Sequence, residues 1–598
     1  MKAVLRSLFV PAMLALTVPM GSCVQGELEP VRDVILTTHA GEWREQIIYQ
    51  LLTDRFANGD AATDHRLLPG ALARYQGGDW QGIIDHLDYI EALGVTALWI
   101  SPIVLNVDYD AGFDAYHGYW AVDLERLNPH FGDLATLRAF VNAAHERGIL
   151  VILDIVTNHM GQVFYYDING NGQPDESVSG SGTRSELTRI SEYDPDYDPR
   201  GIQGYTSLGE SGPSQIRFFD MPEIFRVLPN PPIFADPGVY NRRGRVVDYN
   251  IPEQVIYGDF PGGLKDLNTE LPAVREAMVD AYVRWVLMTD IDGFRIDTLK
   301  HVDYGFWDFF TPEVRRRLAD AGKENFFMFG EAFDGNDELI GSYTMPGRLD
   351  SVFYFSHKFW VFQDVFQQGG ATERIRTLYE MRAANYGTEP QPGGIGVAPR
   401  DVLVNFLDNH DVPRFLYDRP GEDGLLALRA ALAYLLTEDG IPCIYYGTEQ
   451  DYAGGNDPAN REPLWWSNYA TGGDTFQWIA RLTRIRRGYR ALTHGDFELV
   501  YTTESTGDET DAGVVAFERE SPEGDYALVV INAQGGHASS MSDPARRQTL
   551  DRPVGTVLVD VLEPETTFTV GADGTIDVGV GVYGSRILVP QDQLQPGL

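Results

Sequence analysis

The sequence predicts an α/β fold: a closed parallel (β/α)8 TIM barrel with an inserted subdomain after its third strand and a C-terminal β-sandwich. Three observations predict it. Short apolar runs alternate with amphipathic helical stretches between Ile47 and Tyr446. Four of those runs end in acidic or histidine residues, as barrel strands do where they open onto an active face. Beyond Arg487 the pattern changes to short alternating strands divided by turn residues.

The eight expected barrel strands are 47–52, 97–100, 150–155, 293–296, 327–329, 351–355, 402–406 and 441–446. Amphipathic helices lie between several of them. One is 134–147, with Leu137, Val141 and Ala144 on one face, and another is 272–287. Between the third and fourth strands, residues 161–264 are rich in Gly, Pro, Asp and Tyr and lack helical periodicity. A structureless loop of that length does not suit a compact domain, so the stretch is expected to be a subdomain over the barrel mouth. The remaining expected strands are 514–517, 526–531, 556–561 and 586–589. The expected division is therefore an export signal at 1–23, a linker at 24–42, barrel at 43–160, insertion at 161–264, barrel again at 265–487, and the sandwich at 488–598.

Of 598 residues, 43% are hydrophobic and 12% aromatic, enough for a large core and against global disorder. Lys and Arg number 47 against 87 Asp and Glu, a net charge of −40. That field repels nucleic acid and anionic membranes, and most simply keeps an exported protein soluble. Lys2 and Arg6 precede a short apolar stretch, Leu8 to Val18, broken by Pro11. This has the form of an export signal and is shorter than the roughly 20 residues of a membrane span. No transmembrane span is expected. The stretch closes at Met20-Gly21-Ser22-Cys23, similar to a bacterial lipoprotein processing site with Met20 an imperfect match. Two destinations stay open: a lipid-anchored outer-membrane or cell-surface protein, or full secretion from a bacterial cell. The other cysteine, Cys443, lies in an apolar run and is expected in the core; two cysteines make no zinc cluster.

The junctions that carry chemistry are residues 149–153 into Asp154, 293–296 into Asp297, 327–330 into Glu331, and 402–407 into Asp408-Asn409-His410-Asp411. Carboxylates gathered at one rim point to cleavage or transfer of a glycosidic bond. Retaining glycosidases need two carboxyl groups roughly 5 Å apart, one a nucleophile and one an acid and then a base. Asp297 and Glu331, on adjacent strand ends, suit that separation. Arg295 lies two positions before Asp297, hence on the same strand face, and holds Asp297 ionised. Glu331 must begin protonated, so burial and acidic neighbours are expected to raise its pKa. A purely structural Arg295–Asp297 pair accounts for those two residues but not for the acids beside them. Asp411 adds a third carboxylate for an oxocarbenium-like transition state or for sugar hydroxyls, and His410 and His117 are candidate donors to those hydroxyls.

These segments resemble the α-amylase family of glycoside hydrolases, most of all those of fungal type. The motifs are DIVTNHM from Asp154, GFRIDTLKH from Gly293, GEAF from Gly330, FLDNHD from Phe406, AYHGYW from Ala115 and YAGGNDPANRE from Tyr452, in family order between about Trp43 and Arg487. The resemblance implies Asp297 as nucleophile, Glu331 as acid/base and Asp411 as transition-state stabiliser. It implies that Arg295, His117, Tyr119, His159 and His410 line the cleavage subsite, with Tyr119 stacked on the sugar. Lys300 would contact the leaving-group side, and Asp457 with Arg461 the non-reducing side. Of the aromatics Trp80, Tyr116, Trp120, Trp465 and Trp466 near the expected cleft, none is assigned a sugar.

The resemblance further implies a structural calcium held by Asn158, Asp266 and the backbone carbonyl of His301, oxygen donors suited to a hard cation. The ligand from the insertion is unassigned, because residues 161–258 depart from the fungal pattern. Within it, Asp167, Asn169, Asn171, Gln173 and Asp175 alternate around Gly172 like the start of a second calcium loop, although Val178 stands where the twelfth-position Glu belongs. An Asn/Gly-rich turn is the equal alternative. The activity so implied is retaining, endo-acting hydrolysis of α-1,4-glucosidic bonds in starch, glycogen or maltodextrins by a monomer whose partner is the α-glucan itself. The alternatives are a transglycosylase using the same acids and a starch-binding surface protein without catalysis.

Overall fold

The structure, a computed structural model, describes residues 34–110, 112–167, 170, 172, 212–260 and 263–598. Eight parallel strands form its centre: Ile48–Leu51, Ala97–Ile100, Leu150–Ile155, Gly293–Ile296, Phe327–Gly330, Ser351–Val352, Val404–Phe406 and Ile441–Tyr445. Each strand is buried along its whole length, which is why these segments read as unbroken apolar runs rather than as alternation. Their order is sixth, fifth, fourth, third, second, first, eighth, seventh. The seam between sixth and seventh is closed by a parallel bridge between Phe353 and Val404, where the Tyr354 amide donates to the Val404 carbonyl at 2.9 Å. The barrel is thereby complete, and register sets Arg295 opposite Asp154 on one side and Phe329 on the other.

Two expected strands are shorter than their sequences suggest. The run 351–355 leaves the sheet after Val352, because Phe355–His357 is helical and continues into the wide π-helical stretch Lys358–Gln367. Phe353 still bridges Val404 through its backbone, and its ring stacks on Phe406 at 3.6 Å. The run 402–406 begins pairing only at Val404, since the turn Pro399–Asp401 delivers the chain late.

Helix Leu134–Glu146 buries Leu137, Phe140, Val141 and Ala144, and Asp133 caps it by accepting from the Thr136 amide at 2.8 Å. Helix Pro272–Thr289 opens on a proline in its first turn and ends where Asp290 takes a left-handed conformation. Between the third and fourth barrel strands, Phe164–Tyr166 pairs antiparallel with Ile216–Phe218, followed by the turns Pro222–Ile224, Pro232–Ala235 and Pro237–Val239. Prolines at those turn starts explain the missing periodicity. The stretch is stitched to the barrel by pairing of His159–Met160 with Lys265–Asp266.

The C-terminal region is a six-stranded antiparallel sheet plus the two-stranded pair Ser539–Ser540 and Gly579–Val580. Its first strand, Asp496–Tyr501, was not foreseen. Alternation along the sheet is strict: Val515, Phe517, Val529 and Ile531 join the barrel's core, whereas Val514, Ala516, Leu528 and Val530 belong to a second core. Thus one partner layer of the expected sandwich is the barrel itself, through contacts such as Tyr434 against Phe517 at 5.7 Å. Cys443 is buried and burial pushes its thiol well up, as a core residue requires; Cys23 and the whole export signal lie outside the described residues. Among the described residues, no helix is long and apolar enough to cross a membrane.

Candidate active site

Asp297 and Glu331 leave the ends of neighbouring strands, and local backbone aims both inward. The Leu299 amide donates to the Glu331 carbonyl at 2.7 Å, and a Cβ on Gly330 would lie 2.6 Å from the Leu299 side chain. Glycine before the glutamate is therefore a requirement of close packing. Thr298, directly after Asp297, is held at φ 52°, a left-handed conformation that β-branched residues avoid. Asp411 is set by an Asx turn in which Asn409 Oδ1 accepts from the amides of Asp411 (2.9 Å) and Val412 (3.1 Å).

A single buried cation organises the acids. Arg295 Nη1 donates to Asp154 Oδ1 and to Asp297 Oδ1, each at 2.9 Å, and Nη2 stands 2.7 Å from Glu331 Oε2. Asp154 is not at the open rim, as its strand-end position suggested. It is buried beneath, accepting also from the Trp99 indole (3.0 Å) and the Tyr119 hydroxyl (2.7 Å), and so positions Arg295 and Tyr119. The side chains of Asp297 and Glu331 interact directly beside Arg295. Burial lifts both groups. It carries Glu331 further, to about 8, with Asp297 and Asp411 adding to the push and Arg295 opposing it. Asp297 is lifted to about 6, again against Arg295. Of the two, Glu331 is the more strongly raised. Asp411 is more open; Arg461 Nη2 lies 3.2 Å from its Oδ1 and His410 Nε2 3.1 Å from its Oδ2. Burial holds His410 well below the usual histidine range, so its ring is neutral.

These groups face a cavity of about 710 Å³. Of the residues proposed from sequence, His117, Tyr119, His159, Asp297, Lys300, Glu331, His410, Asp411, Asp457 and Arg461 all line it, while Arg295 lies below its floor. Tyr119 runs nearly parallel to His410, at 4° and 5.4 Å. At one flank Lys300 Nζ donates to the Phe333 carbonyl at 2.6 Å; at the other Arg461 Nη1 lies 3.0 Å from Asp457 Oδ1, and both residues bond the Tyr116 hydroxyl at 3.1 Å. Sequence reasoning missed Tyr249, Phe260, Phe333, Asp334 and Phe359, which also line the cavity. Phe333 and Asp334 follow Glu331 by two and three positions and were findable; Tyr249 and Phe260 come from the aperiodic insertion, which offers no signal. Trp120 joins the lining, but Trp80 is core, and Trp465 and Trp466 are absent from the lining.

The oxygens at the implied calcium position fit a hard cation. Asn158 points its side-chain oxygen at the His301 carbonyl (3.0 Å) and at Asp266 Oδ1 (3.3 Å), with its nitrogen turned to His159 Nδ1. Rotating the amide would satisfy the hydrogen bonds alone. Three oxygens converging at such spacings equally match ligands of one ion at 2.3–2.6 Å. Asp266 is buried, burial pushes its carboxyl well up, and its Oδ2 accepts from the Asn241 side-chain amide at 2.6 Å. In the second loop, Asp167 accepts from the Gly172 amide at 3.1 Å and pairs with Arg217. Asn169, Asn171, Gln173 and Asp175 lie outside the described residues.

The family description "Alpha amylase, catalytic domain" matches residues 50–179 and 253–491. The chain belongs to the α-amylase family. It is a glycoside hydrolase. It is 31% identical over 552 residues to Alpha-amylase 2 of Schwanniomyces occidentalis, covering 92% of this chain and 91% of that one. It is 32% identical over 508 residues to the Beta/alpha-amylase of Paenibacillus polymyxa, covering 82% of this chain but only 34%, about a third, of that longer protein. An Anoxybacillus α-amylase crystal structure superposes with a TM-score of 0.69 at 26% identity, covering 94% of this chain and all of that one. A γ-CGTase from an alkalophilic Bacillus clarkii superposes at 0.68 and 25% identity, over 94% and 71% of the respective chains. The unmatched stretch, 180–252, falls within the insertion whose sequence departs from the fungal pattern.

Proposed function

We propose that the protein is a retaining, endo-acting hydrolase of α-1,4-glucosidic bonds in starch, glycogen or maltodextrins. The observation that carries this is the Asp297–Glu331 pair: two interacting carboxyls on one cavity, Glu331 the more strongly raised by burial, with Arg295 2.9 Å from Asp297 Oδ1 and 2.7 Å from Glu331 Oε2. In the first step Asp297 attacks the anomeric carbon, the glycosidic C–O bond breaks, and Glu331 gives its proton to the departing oxygen. In the second, Glu331 takes a proton from water, whose oxygen attacks the same carbon and releases Asp297. Asp411, His410, His117 and His159 hold the hydroxyls of the sugar being cleaved, and the Tyr119 ring supports its face. Lys300 serves the leaving-group side; Asp457 and Arg461 serve the non-reducing side. Polar groups at both flanks suit a chain that passes through rather than ends in the cleft. Digestion of maltoheptaose tests the reading: products should be shorter than the substrate and released as α-anomers, detected by NMR within the first minutes. Initial β-anomer release would overturn it.

A transglycosylase is the second reading, favoured by the likeness to the γ-CGTase fold. Its signature in the same digest is products longer than maltoheptaose.

The ordering of the two pKa values sets the pH dependence. Asp297 must be ionised, so kcat/KM rises as pH passes through its value near 6; Glu331 must be protonated, so it falls as pH passes through about 8. A bell with its alkaline limb near 8 is the expected profile, and a flat rate from pH 5 to 10 contradicts the assignment.

Calcium, held by Asn158, Asp266 and the His301 carbonyl, would neutralise the buried Asp266 and clamp the insertion to the barrel. Chelation with EGTA is expected to lower Tm, with recovery on added calcium, and Asp266→Asn to remove that response. Residues 1–23 support export from a bacterial cell, by lipid anchoring at Cys23 or by secretion. Radiolabelled palmitate incorporation lost in Cys23→Ser distinguishes the two.

A further inference from the structure

At the opposite end of the barrel from the acids, three metal-ligating side chains meet. His145 closes helix Leu134–Glu146 just before the third strand, Asp290 follows helix Pro272–Thr289 just before the fourth, and His39 arrives from the segment preceding the barrel. One ligand atom from each lies within 4.8 Å of the other two. His39 Nε2 is 2.9 Å from Asp290 Oδ2, and the two imidazoles face one another at 3.7 Å and 27°. His145 Nε2 is committed to Asp292 Oδ2 at 2.8 Å, which leaves its Nδ1 for a ligand. A carboxylate behind a ligating histidine fixes its tautomer and raises its basicity, the arrangement found behind metal-bound histidines.

Charge points the same way. Asp290 and Asp292 carry two negative charges, and Lys323 Nζ, at 2.7 and 3.1 Å from them, supplies one positive. One negative charge remains beside the two stacked rings. We infer that His39, His145 and Asp290 form a binding site for a zinc-class divalent cation, which fastens the segment before the barrel to the barrel floor. Two nitrogens and one carboxylate oxygen favour zinc, nickel or copper over calcium, and leave one position for water. Tetrahedral zinc at 2.0–2.1 Å spaces its ligands about 3.3 Å apart. The His39–Asp290 contact therefore opens by a few tenths of an ångström and the remaining separations close, movements that His39, the most exposed of the three, can supply. The segment is already aligned: the Thr37 amide donates to Asp290 Oδ1 at 3.0 Å, and Lys323 Nζ donates to the Thr37 carbonyl at 3.1 Å.

The test uses tag-free, full-chain protein, stripped of transition metals and kept in excess calcium so that sites for hard cations are filled. Zinc chloride is titrated by calorimetry, and cobalt chloride by visible absorption. Wild type is expected to bind one equivalent with a rise in Tm, and cobalt to give the intense bands of a tetrahedral site. His39→Ala, on the exposed ligand, should weaken zinc at least tenfold and abolish the Tm response with hydrolysis unchanged. His39→Cys should restore binding. Absence of saturable zinc binding in wild type, or equal binding in His39→Ala, overturns the inference.

Discussion

Glu331→Gln is expected to lower turnover of α-glucans by about 10²–10⁴-fold while leaving affinity for maltoheptaose within a few-fold of wild type. The amide is isosteric and keeps a hydrogen bond to Asp297, so the cavity retains its shape. What it lacks is a proton that can leave: the departing glycosidic oxygen must depart as an alkoxide, and water loses its base. The alkaline limb of the pH profile should vanish with the titrating group. Turnover by reducing-end release, paired with calorimetric binding made practical by slow catalysis, separates the two quantities. A kcat within tenfold of wild type would remove Glu331 from the acid/base role.

Arg295→Met should produce the largest loss of stability of any single change at the site. The guanidinium is fully buried among Asp154, Asp297 and Glu331, so its removal leaves buried acids without their shared cation, at a cost of about 3–5 kcal/mol. The deficit depends on pH with a definite sign. Without Arg295, the folded-state pKa values of Asp154 and Asp297, about 6 in the presence of the cation, rise further above their unfolded values. The folded variant then binds more protons than its unfolded chain, and its stability falls as pH rises through that range. Urea denaturation should show a larger gap from wild type at pH 8 than at pH 5. Equal gaps would mean that Arg295 contributes packing rather than charge. Arg295→Lys should recover only part of both stability and rate, because a single ammonium cannot span three carboxylates.

Which features were readable in advance follows from how local their causes are. Strands buried on both faces are mostly apolar, so Ala97–Ile100, Leu150–Ile155 and Gly293–Ile296 stand out in composition even though Asp154 and Arg295 lie within the last two. A polar side chain that ends such a run needs a hydrogen-bonding, charged or solvent partner, and a cleft is one place to find it, which is how Asp297, Glu331 and Asp411 announced themselves. Asp154 obeyed the same grammar, yet Trp99, Tyr119 and Arg295 enclose it; only packing across three strands and a loop assigns it a supporting role. The protonation of the acid pair likewise depends on depth of burial and on distances between residues remote in the chain. Tyr249 and Phe260 reach the cavity from a stretch with neither period nor motif, and the C-terminal sheet finds its second layer in the barrel's own helices. Residue order thus dictated the barrel and its ring of acids, because burial on both faces and unpaired charge leave local marks. The unequal upward shifts of Asp297 and Glu331, and the enclosure of Asp154, came from three-dimensional proximity, because Coulomb interactions and desolvation are set by neighbours in space.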